Sequence, residues 1–211
     1  KMRSFFRQIC SQGVSKAVGV FDPYYREYIV TIKTPNQEKT IAWNEDKNRW
    51  VTLYSFAPER YSSVLRSIVS FKDGKLWLHD VNPTCNNFYG VQHRTELTVI
   101  PHLDNKKVVF HTVLLQGVQN KPLTNNWGIV KISNDYGQLS RLNSVHFRLK
   151  ENFWCASFLR DITDTTVIDP IINGRNLRGQ EIILEFANDS VELVSLQQII
   201  TTYVDSERTP K

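Results

Sequence analysis

Two histidines and a cysteine between positions 79 and 93 are the first residues with chemical potential. His79, Cys85 and His93 carry imidazole and thiol groups, which are side chains that zinc prefers. Their spacing matches no standard zinc pattern, because structural zinc ligands usually come in close pairs. We therefore interpret them as ordinary residues of loops and strand ends, and we predict neither a metal nor a cofactor.

Three aspartates, Asp161, Asp164 and Asp169, form a second cluster along the chain. A calcium loop needs oxygen ligands at closely alternating positions and usually a glycine turn, which this segment lacks. We interpret the segment as a solvated loop. Cys155 follows Trp154 in a predicted strand and has no adjacent histidine, so we interpret it as a small buried apolar residue and not as a nucleophile.

Specific catalytic motifs are absent from the sequence. It contains no G-x-S-x-G, no glycine-rich phosphate loop, no C-x-x-C and no H-E-x-x-H. We predict that the chain is not an enzyme and has no catalytic, cofactor-binding or metal-binding residues. The enzymatic alternative is a glycoside hydrolase with a β-fold, which needs two carboxylates about 5–10 Å apart in a cleft.

Trp43 and Trp50 flank the polar segment NEDKNR and are placed to meet across a hairpin. Such a contact stabilises a sheet by about 0.5–1.5 kcal/mol beyond burial. A platform on which a carbohydrate stacks is the alternative interpretation. We favour packing within the sheet.

The composition is that of an ordinary folded chain of 211 residues, with 41% hydrophobic, 22% charged and 11% aromatic residues. The net charge of +5 is spread evenly, with 14 Lys and Arg against 10 Asp and Glu in residues 1–105 and 12 against 11 in residues 106–211. Without a basic block, this charge argues only weakly for nucleic-acid binding. No run of about 18 apolar residues predicts a membrane span. The three separated cysteines indicate reduced thiols in a protein assembled in a cytosol.

The first half of the sequence predicts a helix followed by a meander of short strands. Met2, Phe5, Phe6, Ile9 and Cys10 follow a helical period, which predicts an amphipathic helix over residues 1–12. After Gly13 the period changes to two, and residues 13–100 resemble an incomplete run of propeller blades. Strands are predicted at 17–21, 28–33, 40–43 and 50–56, with a loop at 57–66 and a hairpin of 67–71 and 75–79 around Asp73-Gly74.

Residues 101–211 predict longer strands with wider loops, as in a β-sandwich or barrel. A soft boundary lies at 101–106, and 163–179 is predicted to be a long exposed loop. The fold class is therefore mainly β: the end of a propeller-like meander, then a sandwich-like or barrel-like domain, with a short N-terminal helix. Strands are predicted at 96–100, 107–116, 127–133, 144–149, 153–158, 181–186 and 191–203.

Four consecutive segments carry a resemblance to a known family: GVFDPYYREYIVTI, TIAWNEDKNRWVTLYSFAPERY, SIVSFKDGKLWLHD and NNFYG. This order resembles the tail nozzle proteins of short-tailed phages, and most of all the muzzle proteins of crAss-like phages that infect gut Bacteroidales. The family's late propeller strands match Phe21 to Tyr28, Ile41 to Tyr54 and Ser70 to His79. The ending RGQEIILEFANDSVELVSLQQIITTYVDSERTP is similar to its closing strands, which finish at a serine followed by a basic residue, here Ser206 and Arg208.

The resemblance implies a virion protein that is assembled in the host cytoplasm and forms the distal tail wall around an exit channel. It implies a homo-oligomeric ring, six-fold in that family, with contacts to other tail proteins and transient, nonspecific contacts with ejected DNA. Because family members are longer and this chain begins at Lys1, we expect an upstream part of the same polypeptide. We expect that part to supply the remaining blades and to cover the N-terminal helix. The alternative function is a β-rich tail module that binds a receptor or a carbohydrate.

Overall fold

The computed structural model describes residues 2–101, 106–118 and 129–206, and over these ranges the chain is mainly β with a short N-terminal helix. The sheets in these ranges are open, and neither a propeller nor a closed barrel is formed there. Most of the predicted boundary at 101–106, the start of the predicted strand 127–133 and the basic residue Arg208 lie outside the described residues.

The chain divides into two compact units. Unit 1 comprises Lys1–Pro83 and Asn87–His93, and unit 2 comprises Thr84–Asn86 and Arg94–Lys211. The strand Thr95–Val99 lies in unit 2, because it pairs along its length with the late strand Ile182–Asn188. Units 1 and 2 therefore divide upstream of the boundary expected from the sequence.

Unit 1 contains one helix and nine strands. A four-stranded antiparallel sheet has the order β1-β2-β3-β4, a three-stranded sheet has the order β5-β6-β7, and β8 and β9 form a ribbon. The bounds are α1 Met2–Ser11, β1 Lys16–Asp22, β2 Glu27–Lys33, β3 Glu38–Asn44, β4 Arg49–Tyr54, β5 Arg60–Val64, β6 Ser67–Lys72, β7 Lys75–Leu78, β8 Asn87–Phe88 and β9 Val91–Gln92.

A row of aromatic side chains crosses one face of the first sheet. Phe21 pairs with Tyr28, Tyr28 with Trp43, and Trp43 with Trp50, so the row spans all four strands. The ring centroids of Trp43 and Trp50 lie 5.4 Å apart in an edge-to-face arrangement, which confirms the predicted cross-hairpin contact. Phe6 of α1 lies 5.2 Å from Trp50, so the helix packs against the end of this row.

The apolar stripe of α1 finds its partner within unit 1. Ile9 is buried, and the side chain of Gln12, just after the helix, accepts hydrogen bonds from Thr34 and Gln37 in the β2–β3 turn. Phe6 therefore contacts the chain's own first sheet and Ile9 is buried within the described residues, while the expectation that an upstream segment covers the helix stays a prediction. Cys10 is exposed and does not belong to the buried side of the helix.

The two turns of the β5–β6–β7 sheet differ in how well the sequence predicts them. The β6–β7 hairpin is confirmed, and Asp73 and Gly74 both adopt the positive φ angles, 52° and 70°, that a tight hairpin turn needs. The loop predicted at 57–66 is instead largely strand β5, which pairs with β6 through a two-residue turn at Leu65-Arg66. Leu65 takes a φ of 56° there, so the turn carries none of the glycine or asparagine that usually marks it.

The described residues of unit 2 form two sheets that contribute to one hydrophobic core. The first sheet has the order β10-β17-β12-β13. In the second sheet, β14 pairs with β15, and both β15 and β16 pair with one edge of β11. Strand β18 pairs with the opposite edge of β11. The core residues alternate along β17 as Ile182, Leu184 and Phe186. The bounds are β10 Thr95–Val99, β11 Val108–Val118, β12 Ile129–Asn134, β13 Leu139–Asn143, β14 Arg148–Lys150, β15 Phe153–Ser157, α2 Pro170–Asn173, β16 Arg178–Gly179, β17 Ile182–Asn188 and β18 Ser195–Asp205.

One sequence prediction for unit 2 is wrong, and another is confirmed only in part. The strand predicted at 144–149 begins with a 3₁₀ turn, Ser144–His146, and only its last residues join β14. The segment 163–179 is exposed over most of its length, as predicted, but it contains α2, β16 and the buried Leu177, whose carbonyl accepts a hydrogen bond from the backbone of Phe110. These backbone contacts tie the segment to β11, which a sequence rich in turn residues does not reveal.

The aromatic row yields a prediction about stability. We expect Trp50→Ala to lower the free energy of unfolding by about 3 kcal/mol, because the half-buried ring loses contacts with both Trp43 and Phe6. Urea denaturation measures the change. Tyr24→Ala is the control: Tyr24 is 77% exposed, so its truncation should cost less than about 0.5 kcal/mol. Equal losses for the two variants would contradict the packing role of Trp50.

Candidate functional site

The residues best placed for chemistry are Ser70, His79 and Tyr89 in unit 1. Ser70 lies on the middle strand β6, and His79 follows β7, where its backbone N–H donates to the carbonyl of Ile68. Tyr89 occupies the turn between β8 and β9 with a φ of 56°. The Ser70 Oγ lies 2.7 Å from His79 Nε2 and 2.9 Å from the Tyr89 hydroxyl.

The protonation states of His79 and Tyr89 follow from burial. Burial lowers the pKa of His79 below its ordinary value, although the charge of Asp22 acts in the opposite direction, so the imidazole is neutral near pH 7. Burial raises the pKa of Tyr89, so its hydroxyl keeps its proton. The Ser70 hydroxyl is thus hydrogen-bonded to a neutral imidazole on one side and to a protonated phenol on the other.

A serine bonded to a histidine is the usual start of a nucleophile and its base, so the accessibility of Ser70 decides what this pair can do. Ser70 has no exposed surface. His79 packs against the rings of Phe56 and Tyr89, with centroids 4.9 Å and 6.2 Å away. The arrangement supports an enclosed polar network that fixes three elements together, and it gives a substrate no path to the Ser70 hydroxyl.

Two acidic residues of the β1–β2 hairpin stand in register across from each other. Asp22 and Glu27 are both buried. The Asp22 Oδ1 accepts from the backbone N–H groups of Tyr24 and Tyr25 at 2.8 Å and 3.2 Å, and Glu27 accepts from the Tyr54 hydroxyl at 3.1 Å. Burial and the nearby Glu27 raise the pKa of Tyr54, which keeps this donor protonated. These carboxylates shape the hairpin turn and fix β4 to it.

The metal ligands considered from the sequence do not come together. His79 bonds to Ser70, the His93 ring lies 5.9 Å from Phe88, and the Cys85 backbone N–H donates to the carbonyl of Val191. Across the described ranges, no three His, Cys, Asp or Glu residues are grouped so that they could hold a metal ion.

The aspartates at 161 and 164 are not part of a solvated loop, so that interpretation is wrong for both. Each is buried and caps a turn: Asp161 accepts from Thr163 and from the backbone of Leu139, and Asp164 accepts from Thr166. Burial acts to raise the pKa of Asp161, but these hydrogen bonds outweigh it and lower the pKa below its usual value. Hydrogen bonds from Thr166, helped by a nearby arginine, lower the pKa of Asp164.

Asp169 and Cys155, the other two residues considered from the sequence, are placed differently. Asp169 is exposed and adopts a φ of 61° just before α2, without a side-chain cap. Cys155 on β15 is half-buried, and its thiol lies 3.6 Å from the carbonyl of Phe153. It is therefore less enclosed than the sequence predicts.

Two exposed surfaces of unit 1 were not identified from the sequence. The first is a tyrosine group at the β1–β2 turn, formed by Tyr24, Tyr25 and Tyr28, of which Tyr24 and Tyr25 have ring centroids 4.7 Å apart. The dipeptide Tyr24-Tyr25 directly after Asp22-Pro23 is the signal that could have found it, since turn residues face solvent.

The second surface is the outer face of the β5–β6–β7 sheet, which we call the outer apolar face. Ser70 and Ile68 of β6 point inward, so Phe71 points outward, whereas Val69 on the same outer side is itself buried at 8% exposure. Phe71 pairs with Leu76, and Val69 pairs with Leu78. Phe71, Leu76 and Leu78 are all exposed, with Val64 of β5 also exposed.

No protein-family model matches the sequence, and no curated protein is significantly similar to it. Over the described residues, neither helix has the length and apolar character needed to cross a membrane.

The Ser70–His79–Tyr89 network yields a prediction about pH. Because the folded pKa of His79 is lowered, the unfolded chain takes up the proton first as the pH falls below about 6.5. The stability held by the neutral imidazole is complete above that pH and is lost as the pH falls toward the folded pKa. The slope is at most about 1.4 kcal/mol per pH unit. His79→Gln should flatten this part of the curve, measured by urea denaturation from pH 7.5 to about 5.

The control for this experiment is His93→Gln, which lies outside the network. Asp22 is the charged group that acts on His79, and burial together with the charge of Asp22 raises the pKa of Asp80, the next residue along the chain. Both carboxylates remain in the original and the variant chain, so the difference between the two curves isolates His79. An unchanged slope in His79→Gln would contradict the network.

Proposed function

We propose that the chain is a non-enzymatic structural protein of a phage virion. In this proposal it belongs to the distal tail, as a muzzle or nozzle protein, and forms part of the channel wall through which DNA and proteins are ejected. It requires no cofactor or metal. Its partners are further copies of the chain in a ring, six-fold by resemblance, the upstream part of the same polypeptide and other tail proteins.

The observation that carries the proposal is the outer apolar face. Phe71, Leu76 and Leu78 form a contiguous exposed apolar group on a flat strand surface, and such surfaces mark contacts with other proteins. A catalytic domain concentrates polar groups in a cleft, whereas the enclosed hydroxyls of Thr31 and Ser70 are bonded to neighbouring side chains; the buried Trp77 Nε1 has no partner within the described residues. An exposed apolar surface together with enclosed polar groups supports a role in assembly over a role in catalysis.

The strand order of unit 1 supports the finer fold in the proposal. Two successive antiparallel meanders, of four and three strands, share the buried residues Ile29, Ala42, Phe56 and Ile68. Successive blades of a propeller also pack face to face. We therefore infer the end of a propeller-like region, followed in unit 2 by a sandwich-like domain in which two sheets share a core.

The charge supports only a modest role for nucleic acid. With a net charge of +5 and no basic block, contacts to ejected DNA are transient and independent of sequence. The location in this proposal is the virion, after assembly in the host cytoplasm.

Substitution of the outer apolar face tests the proposal. We expect the full chain to self-associate beyond a dimer in sedimentation velocity experiments. The double variant Leu76→Lys with Leu78→Lys should weaken that association at least about ten-fold, because every interface that the outer apolar face makes would then have to bury two lysines. The matched control is Val145→Lys with Val191→Lys, which changes two similarly exposed apolar residues of unit 2. Equal effects of the two double variants would contradict an assembly role for this face.

The tyrosine group favours a second candidate function, a receptor-binding or carbohydrate-binding tail module. Tyr24, Tyr25 and Tyr28 are each about half exposed or more, and exposed aromatic rings stack on the apolar faces of sugars. This alternative predicts saturable binding of host surface polysaccharide that Tyr24→Ala with Tyr28→Ala weakens at least about ten-fold. The tail-wall function predicts no saturable binding in the same calorimetric titration.

A further inference from the structure

Two Asp-Pro bonds occur in the chain, Asp22–Pro23 and Asp169–Pro170. An aspartate that precedes a proline is able to cut the bond between them, because its carboxylate can attack its own backbone carbonyl carbon. The proline nitrogen is more basic than an ordinary peptide nitrogen, so it takes up a proton and leaves more readily. The surroundings of each bond therefore decide which of the two reacts.

The backbone of Asp169 is strained at the bond in question. Its φ of 61° and ψ of 71° lie in the left-handed region, which non-glycine residues seldom adopt. A following proline adds to the strain, because its ring favours an extended conformation of the residue before it. Among the described non-glycine residues with a positive φ, Asp169 is the only one that precedes a proline. Strain of this kind raises the energy of the uncut chain and marks candidate functional positions.

The surrounding segment holds this conformation in place. The backbone N–H of Asp161 donates to the carbonyl of Arg175, and Leu177 is buried in the core of unit 2. Gly174 packs so closely that a Cβ there would lie 2.3 Å from the carbonyl oxygen of Pro170. Strained residues persist where their surroundings fix them in this way. The strain at Asp169 therefore cannot relax while these contacts are kept.

The carbonyl group of Asp169 is polarised for attack. Its oxygen accepts hydrogen bonds from the backbone N–H groups of Ile172 and Asn173, at 3.2 Å and 3.0 Å. Attack on the carbonyl carbon moves negative charge onto that oxygen, and donors already directed at it stabilise the charge. The Asp169 carboxylate is exposed and caps no backbone N–H, so it can rotate toward its own carbonyl carbon.

The other Asp-Pro bond has the opposite surroundings. Asp22 is buried, and its Oδ1 accepts hydrogen bonds from the backbone N–H groups of Tyr24 and Tyr25 at 2.8 Å and 3.2 Å. These bonds fix the carboxylate and withdraw charge from the oxygen that would attack. The φ of Asp22 is not positive, so it also lacks the backbone strain. The chain thus contains a protected bond with which the exposed one can be compared.

We propose that the bond between Asp169 and Pro170 is a self-cleavage site. A carboxylate oxygen of Asp169 forms a bond to the backbone carbonyl carbon of the same residue. The electron pair of the C–N bond goes to the Pro170 nitrogen, which takes a proton from solvent and leaves as an amine. One water molecule then hydrolyses the cyclic anhydride to two carboxyl groups, so nothing is oxidised or reduced. The chain cuts itself once and turns over no substrate.

The two fragments stay associated after the cut. The fragment that begins at Pro170 carries β16, β17 and β18. Strands β16 and β18 pair with β11, and β17 pairs with β10 and β12, all of which belong to the other fragment. We therefore expect a cut chain that elutes as one species in native buffer and separates into residues 1–169 and 170–211 in urea.

Intact-mass spectrometry over time tests the proposal. The purified chain is incubated between about pH 7 and about pH 5, with its fold checked by circular dichroism, and in the same buffers with urea. In the folded chain, the bond at 169 should be cut at least about ten-fold faster than the bond at 22. In urea the surroundings are lost, so the two bonds should be cut at similar rates, and the bond at 169 should be cut more slowly than in the folded chain.

Variants separate the chemistry from a general acid sensitivity. Asp169→Ala removes the attacking carboxylate and should abolish the cut, and Pro170→Ala should slow it at least about ten-fold, because it removes the restriction on Asp169 and the basic leaving nitrogen. Asp46→Ala, which removes another exposed aspartate, should leave the rate unchanged.

Three results would overturn the proposal: equal rates at the two bonds of the folded chain, a cut at 169 that is no slower in urea, or fragments that persist in Asp169→Ala. The two bonds are compared within one molecule, so the test stands even where a variant fails to fold. The inference is independent of the proposed function, since the reaction occurs in the isolated chain and requires no assembly.

Discussion

The packing around Phe56 is the interaction on which unit 1 depends. This buried ring follows β4 and meets the rings of Tyr54, His79, Phe88 and Tyr89 at centroid distances of 4.9, 4.9, 5.0 and 6.3 Å. This one side chain therefore joins the first sheet, the end of the β6–β7 hairpin and the β8–β9 ribbon in a shared core. The aliphatic core of unit 1 is small, so these aromatic contacts supply much of the burial that joins its sheets.

Polar networks surround this aromatic centre and give it a defined geometry. The Thr31 hydroxyl bonds to Thr40 and to Tyr61, on the opposite sheet, while Ser70 bonds to His79 and Tyr89. Buried polar groups are costly when unpaired, so each network favours one arrangement of the sheets. The polar groups of these two networks face inward, and the outer apolar face points outward. The proposed subunit of a tail wall requires this distribution.

Sequence reasoning succeeded where a local signal and the tertiary structure agree. Period-two segments predicted β1 to β4, and Asp73-Gly74 predicted the β6–β7 hairpin because that pair tolerates positive φ angles. It failed at β5, where Leu65 adopts a left-handed turn without a glycine or asparagine, and at Asp161 and Asp164, whose burial depends on contacts with distant backbone. It also treated His79 as an ordinary strand-end residue, because its bond to Ser70 depends on how β6 and β7 align.

The location of the chain in intact particles tests the central claim most directly. Particles purified from a culture that produces the chain would be analysed by quantitative mass spectrometry and by electron microscopy with gold-labelled antibodies against residues 1–211. The proposed function predicts the chain at a fixed copy number per particle, with gold at the distal end of the tail. A chain that is abundant in the infected cell and absent from purified particles would contradict the account.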